Sequence, residues 1–218
     1  MPTPTRTSTL LVAASLAALL LGACSKSPTE PRQVPLAHRT VTVVLTDSLG
    51  VPLAGADLTW IALTDSAGFV ELFTGTTDAD GEDMHVLREG GWIVSTLVPG
   101  GGPRPRAAGA SFVVSGAWRA AADTQVVRLV AHTSAIASGT CTLAGRADHS
   151  GTLVSGWLPV VAATGADGHW SLEGLPLGHW ELTFEHFGFK VGIAAVDVTT
   201  PGQNVTVPPL QLLSDPLP

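Results

Sequence analysis

Four carboxylates fall within six positions at Asp78-Ala-Asp-Gly-Glu-Asp83, and the chemistry open to an oxygen-rich turn of this kind is coordination of a hard cation such as Ca²⁺. On that reading Asp78, Asp80, Glu82 and Asp83 are the ligands. The stretch lacks the distal bidentate glutamate that completes a calcium loop, and the plainer reading is a solvated turn that uses Asp80-Gly81 for its geometry. His149, His169, His179 and His186 have intervals that match no ligand motif, so exposed or edge histidine is the expectation. Cys141 lies mid-strand between Thr140 and Thr142 and reads as a small core residue. Of the six tryptophans, Trp60, Trp170 and Trp180 occupy apolar-face positions and are expected in the core. Trp92, Trp118 and Trp157 flank loops and are the candidates for stacking on a ligand such as a sugar ring. Arg104 and Arg106 sit in a Gly/Pro-rich stretch, where contact with an anionic partner and a plain flexible loop explain them equally well.

No H-E-x-x-H, G-x-S-x-G, P-loop or paired-cysteine metal spacing occurs. No catalytic residue and no cofactor is therefore expected. The formal net charge of −7 argues against nucleic acid and against a polybasic membrane contact. With 24 Gly, 16 Pro, no Tyr and 13% charged residues, the composition suits short strands joined by tight turns.

The elements that must position these residues read as strands throughout. Thr40-Val-Thr-Val-Val-Leu-Thr46 leads to a turn at Asp47–Pro52, and Ala56–Leu63 follows with Leu58 and Trp60 on one face. Turn signals recur at Asp65–Gly68, Asp80-Gly81, Gly90-Gly91 and Pro99–Pro103, with strands expected around 84–88, 92–98, 111–118 and 124–131. A second domain is expected from Ile136, with a strand over 138–145, a turn-rich link over 146–152 and strands at 158–164, 169–173, 189–198 and 203–213. Trp180-Glu-Leu-Thr-Phe-Glu-His186 has the cleanest alternation, setting Trp180, Leu182 and Phe184 on one face and Glu181, Thr183 and Glu185 on the other. The halves echo each other: Asp80-Gly81 precedes Gly91-Trp92 as Asp167-Gly168 precedes Gly178 and Trp180, which predicts a diverged repeat of one fold.

At the amino end, Arg6 precedes an apolar run from Leu10 to Leu21 that ends in Gly22-Ala23-Cys24. The run is shorter than the roughly 18 residues of a spanning helix and has the layout of a secretory signal peptide. Leu21-Gly-Ala-Cys24 resembles the lipobox of bacterial lipoproteins, which implies diacylglyceryl transfer to Cys24, cleavage before it, acylation (palmitate-type) of the new terminus and a membrane tether. Ser25, where aspartate often marks inner-membrane retention in such proteins, implies the outer membrane. Lipidation of Cys24 would leave Cys141 as the one thiol, so no intramolecular disulfide is expected. Residues 24–39 carry Pro28, Pro31 and Pro35 and read as an extended tether.

The stretch Ala163-Thr-Gly-Ala-Asp-Gly-His-Trp-Ser-Leu-Glu-Gly-Leu-Pro-Leu-Gly-His-Trp180 resembles the carboxypeptidase regulatory-like (transthyretin-like, Cna-B-like) β-sandwich family. Asp47-Ser-Leu-Gly-Val-Pro-Leu-Ala-Gly-Ala-Asp57 is similar to the opening turn of the same family. The resemblance implies an all-β protein of two tandem Ig-like, transthyretin-like antiparallel sandwiches behind a cleaved signal peptide. The expected organisation is a leader over 1–23, the lipidated Cys24 and tether over 24–39, a diverged sandwich over 40–132 and a carboxypeptidase regulatory-like sandwich over 136–214. After residue 99 the first domain departs from the family pattern into a long Gly/Pro/Arg loop over 99–109. The resemblance is specific for fold and says little of function. The leading functional expectation is a non-catalytic binding module of the cell envelope for carbohydrate or peptide. The alternative is a structural or scaffolding partner of an envelope assembly, and the weakest is a metal-dependent enzyme using the 78–83 carboxylates.

Overall fold

The computed structural model describes residues 38–63, 71–99, 102–115, 124–156 and 160–215. Cys24, the leader, the tether, Asp65–Gly68, Trp118 and Trp157 lie outside the described residues. Every regular element among those described is a strand. The first seven are β1 (His38–Asp47), β2 (Asp57–Leu63), β3 (Leu72–Thr76), β4 (Glu82–Arg88), β5 (Gly90–Val98), β6 (Arg106–Val114) and β7 (Gln125–Thr133). The next eight are β8 (Ala135–Leu143), β9 (Leu153–Gly156), β10 (Val161–Ala163), β11 (His169–Leu175), β12 (Gly178–Glu185), β13 (Gly192–Val198), β14 (Asn204–Thr206) and β15 (Leu210–Leu212). The described residues form one compact unit.

The strands make two sandwiches of one topology. In the first, β3-β2-β5-β6 is one layer and β7-β1-β4 the other; β6 and β7 join them through only two residue pairs, Arg106 with Thr133 and Ala107 with His132. In the second, β10-β9-β12-β13 faces β11-β8-β14, with β15 also on β8. Each pairing has its counterpart: β1 with β4 and β8 with β11 are antiparallel, β2 with β5 and β9 with β12 are antiparallel, and β1 with β7 and β8 with β14 and β15 are parallel. The all-β tandem-sandwich expectation holds, most pairs being antiparallel; the parallel pairs arise because the last strand of each unit returns beside the first, running in the same direction. The repeat is visible in detail. Leu45 N–H donates to the Gly81 carbonyl at 2.8 Å and Cys141 N–H to the Gly168 carbonyl at 2.8 Å. Gly81 and Gly168 both have positive φ, 74° and 78°, and a Cβ at either would press on the carbonyl of Leu45 or Cys141, so the Asp-Gly turns admit only glycine there. The strand-opening glycines that correspond are Gly90 and Gly178, both at positive φ and both two residues before a tryptophan, which shifts the expected Gly91 match by one residue.

A buried threonine closes the corresponding corner of each sandwich. Thr77 Oγ1 donates to the Leu53 carbonyl (2.6 Å) and accepts from Ala56 N–H (2.9 Å); Thr164 Oγ1 donates to the His149 carbonyl (2.5 Å) and accepts from Thr152 N–H (2.9 Å). A buried hydroxyl is tolerated there because both its donor and its acceptor capacity are used.

Two cores fill the intersheet spaces. The first holds Val41, Val43, Leu45, Leu58, Trp60 and Trp92, and the second Leu143, Val154, Trp170, Leu172, Leu182 and Phe184. Each buried tryptophan withdraws about 200 Å² from water, on the order of 5 kcal/mol before entropy is counted. Ile61 and Ile93 belong to the second core although they lie on strands of the first sandwich. The outer face of the β2/β5 layer is thus a wall of the second sandwich, and this explains why Trp60–Ala62 and Trp92–Thr96 are buried without alternation.

Several boundaries differ from those expected. The stretch expected as a loop over 99–109 enters β6 at Arg106, and β6 ends at Val114 short of the expected 118. Its Ala-Ala-Gly-Ala composition hides the strand, because small residues have no alternation to show. β3 and the short β9 were not legible either; each is a brief strand between turn signals, five and four residues long.

Candidate functional site

The acidic turn is assembled for geometry. Asp78 Oδ1 accepts from Asp80 N–H and Glu82 N–H, both at 2.9 Å, which is an Asx turn closing the Asp-Gly corner. Glu82 begins β4 with its side chain outward, whereas Asp83 faces inward: its Oδ2 accepts from Trp60 Nε1 at 3.0 Å and lies 3.1 Å from His85 Nε2. Strand alternation therefore sends Glu82 and Asp83 to opposite faces. The described residues hold no group of three or more His, Cys, Asp or Glu side chains able to share a metal ion, so the four candidate carboxylates Asp78, Asp80, Glu82 and Asp83 are not brought together.

Asp83 instead anchors an aromatic cluster at the open side of the first sandwich. Phe73 stacks on Trp60 with centroids 5.9 Å apart, and the His85 ring lies 4.7 Å from Phe73 and 5.1 Å from Trp60. A Cβ at Gly75 would collide with the Asp83 carboxylate, so β3 can approach β4 only at a glycine. Arg88 Nε donates to Glu71 at 3.1 Å on the same side. Spacing could not reveal this cluster, because Trp60, Phe73 and Asp83 meet across the two layers.

Trp92, expected beside a loop as a ligand platform, is fully buried, and its Nε1 donates to the Arg88 carbonyl at 3.0 Å. The correction has a simple cause: the glycine pair before it starts the strand, so the tryptophan already points into the core. Trp60, Trp170 and Trp180 are buried as expected, and Trp180 Nε1 donates to the Pro176 carbonyl at 2.9 Å, repeating the Trp92 contact. Cys141 is fully buried, and burial pushes its thiol pKa up.

The histidines are dispersed. His149 Nδ1 accepts from Leu143 N–H at 3.1 Å, holding the link between β8 and β9. His169 is exposed on β11. His179 Nδ1 meets Asp197 Oδ1 at 2.6 Å between two exposed side chains, a pair that water screens to little net value. His186 packs edge-on to Phe189 with centroids 5.3 Å apart. Beside it Phe187 is 91% exposed and separates two open hollows of about 520 and 530 Å³, one bordered by Arg146, Asp148 and Ser150, the other by Leu153, Glu185 and Val191.

The junction of the two sandwiches is held by a short connection and by contacts across it. Ser134 alone separates β7 from β8, and its N–H donates to the Pro105 carbonyl at 3.0 Å. Arg104, read from sequence as loop or anion contact, donates from Nη1 to the Gly202 carbonyl (2.8 Å) and from Nη2 to Asn204 Oδ1 (3.0 Å). Arg106 lies within β6 with its Nε buried. Gly109 faces Trp180: a Cβ there would lie 2.9 Å from Trp180 Cη2 and 3.2 Å from Pro176 Cγ. The cleft beside it, about 320 Å³, is lined from both sandwiches, by Leu63, Ile93 and Ser111 on one side and Leu177, His179 and Glu181 on the other.

No model of a known protein family matches the sequence, and no curated protein matches it. Among solved structures the chain is similar to the Bacillus anthracis TIE protein (12% identity, 81% of this chain and 34% of that one, TM-score 0.33). It is also similar to a streptococcal ancillary pilin (15%, 84% and 64%, TM-score 0.34) and to the shaft pilin SpaA of Lactobacillus rhamnosus GG (13%, 84% and 100%, TM-score 0.31). The chain thus spans about a third of the first of these proteins and just under two thirds of the second. The all-β tandem-sandwich fold rests on the strand pairings themselves.

Proposed function

We propose that this chain is a non-catalytic structural module of the bacterial cell envelope, tethered to a membrane through lipid on Cys24 and holding a partner assembly at a set distance and orientation. The observation that carries the reading is the junction. One residue links the sandwiches, Arg104 clamps across it, and Ile61 and Ile93 of the first sandwich are built into the core of the second. Tandem domains joined by loose linkers move independently; a shared core and a one-residue connection oppose such movement, which suits a spacer.

NMR relaxation of the full chain tests this. One rotational correlation time for the amides of both sandwiches is the expected result, and two distinct values would overturn the spacer reading. Gly109→Leu, which places a side chain against Trp180, should separate the two values. For the anchor, incorporation of labelled palmitate that disappears in Cys24→Ser is expected, and incorporation that persists would remove the lipoprotein proposal.

A second reading, recognition of carbohydrate or peptide, is favoured by one observation: exposed Phe187 stands between two open hollows with charged borders at a loop end of the second sandwich. The loop-flanking candidates Trp118 and Trp157 remain part of that proposal. Saturable binding of the full chain to peptidoglycan or another envelope polysaccharide, lost in Phe187→Ala, Trp118→Ala or Trp157→Ala with the fold intact, would put this reading first.

A further inference from the structure

The outer face of the β4-β1-β7 layer, on the side away from its own core, carries an apolar surface with a definite symmetry. Odd-numbered residues of these strands (Val41, Val43, Leu45, Leu87, Val127, Leu129) are buried, so the even-numbered ones point outward. Among them Met84 is 64% exposed, Val86 67%, Val126 50% and Val130 43%. Single exposed hydrophobics need no explanation, but here Met84 and Val86 of β4 and Val126 and Val130 of β7 share one face, with Thr42 and Val44 of β1 between them.

The strand register arranges that face in rows. Val44 pairs with Glu82 on one side and Arg128 on the other, and Thr42 pairs with Met84 on one side and Val126 on the other. Thr42 is only 8% exposed although it points outward. With strands about 4.8 Å apart, Glu82 and Arg128 stand about 10 Å apart across β1. Neither side chain forms an ion pair with a described residue. Of the other charged or titratable groups near this face, Arg88 is engaged by Glu71, and His38 of β1 and His132 of β7 lie towards the ends of their strands.

We propose that this face is a self-association surface whose occupant is the same face of a second copy of the chain. A two-fold axis lying in the face along β1 carries β4 of one copy over β7 of the other. Each row then meets itself reversed: Glu82 faces Arg128 of the other copy, Met84 faces Val126, and Val44 and Thr42 face their own equivalents on the axis. Two ion pairs that neither Glu82 nor Arg128 makes among the described residues are formed, and the apolar residues beside them leave water together. An isologous contact of this kind is closed at two copies. Sheets pack face to face with strands nearly aligned, which keeps the central rows in register. The charge arrangement specifies the second copy as occupant, since a partner needs cation over Glu82, anion over Arg128 and an apolar strip between, and this face supplies all three. The inference is independent of the proposed function: it rests on the register of three strands and on the exposure and charge of the residues on their outer face.

The face spans roughly 300 Å² per copy, from three strands of about seven residues, well below the roughly 800 Å² per partner of a standard interface. Association is therefore weak, in the high-micromolar range, and concentration-dependent. Sedimentation velocity of the full chain from about 10 µM to 1 mM should show a monomer–dimer equilibrium. Glu82→Arg and Arg128→Glu should each weaken it about tenfold or more by opposing like charges. The double variant Glu82→Arg/Arg128→Glu should recover the wild-type dissociation constant, because the exchange preserves both pairs. Both positions are exposed, and near-UV circular dichroism checks that each variant is folded. A monomer at every concentration, a dimer unmoved by the single variants, or a double variant no tighter than the singles would each overturn the proposal.

Discussion

The two sandwiches share one strand order and yet fill one central position with a tryptophan from opposite layers, Trp60 of β2 in the first and Trp170 of β11 in the second. At the pairing of the second and fifth strands, the first sandwich has Trp60 beside Val94, whereas the second has Gly156 beside Leu182. At the pairing of the first and fourth strands the sizes reverse, Val43 beside Asp83 in one and Gly139 beside Trp170 in the other. An intersheet space must be filled to nearly crystalline density, and either layer can supply the large ring. The choice has a consequence: Trp60 brings an indole N–H to a site where Asp83 accepts it, so the first sandwich carries a nearly buried carboxylate and His85 where the second packs Trp170 against Phe184.

That comparison is most directly broken at the rings. Trp170→Ala and Trp60→Ala should each cost about 3–5 kcal/mol, read as a lowered urea midpoint for the full chain; a cost below about 1 kcal/mol at either position would contradict its place at the centre of a core. Asp83→Ala should cost about 1–3 kcal/mol by leaving the Trp60 N–H without its acceptor, and it should disturb the near-UV signal of Trp60. A neutral Asp83→Ala would mean that the indole has an adequate alternative.

The conserved corner sharpens the comparison in the other direction. Thr77→Val and Thr164→Val remove equivalent hydroxyls and should destabilise by similar amounts, about 1–2 kcal/mol each. Costs that differ severalfold would show that identical hydrogen bonding does not carry identical energy in the two units.

The smallest effects belong to pH. Hydrogen bonds from Val51 N–H and then Leu49 N–H hold the Asp47 carboxyl below the usual aspartate range, and Ser150 N–H does the same for Asp148. A folded pKa below the unfolded one stabilises above about pH 4, and the contribution fades as pH falls through the folded value. Asp47→Ala should therefore flatten the acid limb of the stability profile only slightly, because the carboxyl lies close to solvent, which weakens its interactions. Cys141 has the opposite sign. Its raised pKa favours the fold at neutral pH, and that contribution is lost as pH climbs past the ordinary thiol range. Iodoacetamide at pH 8, with modification mapped by mass spectrometry, should reach Cys141 only after unfolding. Rapid labelling of the folded chain would contradict its burial.

Much of this was legible along the chain because it is local. The Asp80-Gly81 and Asp167-Gly168 turns, the alternation of Trp180, Leu182 and Phe184, and the burial of Cys141 follow from backbone geometry and period-2 patterning that a short window contains. Trp92 was misplaced for a local reason as well, since a tryptophan beside a glycine pair looks the same whether the strand begins before it or after it. β6 was hidden by its small residues, yet those residues are what let Trp180 approach Gly109. The sequence does carry a signal of the shared wall: Trp60-Ile-Ala-Leu63 and Trp92-Ile-Val-Ser-Thr-Leu-Val98 lack alternation, as strands covered on both faces do.

The sequence by itself determined that the chain is built of short strands, where its glycine turns fall and that one unit repeats, because each depends on neighbours a few residues apart. The tertiary structure alone decided that Asp83 turns inward to Trp60 while Glu82 turns out to line up with Arg128, and that Arg104 clamps the junction. Those relations join residues up to about a hundred positions apart, and only the register of strands brought together by folding sets which of them share a face.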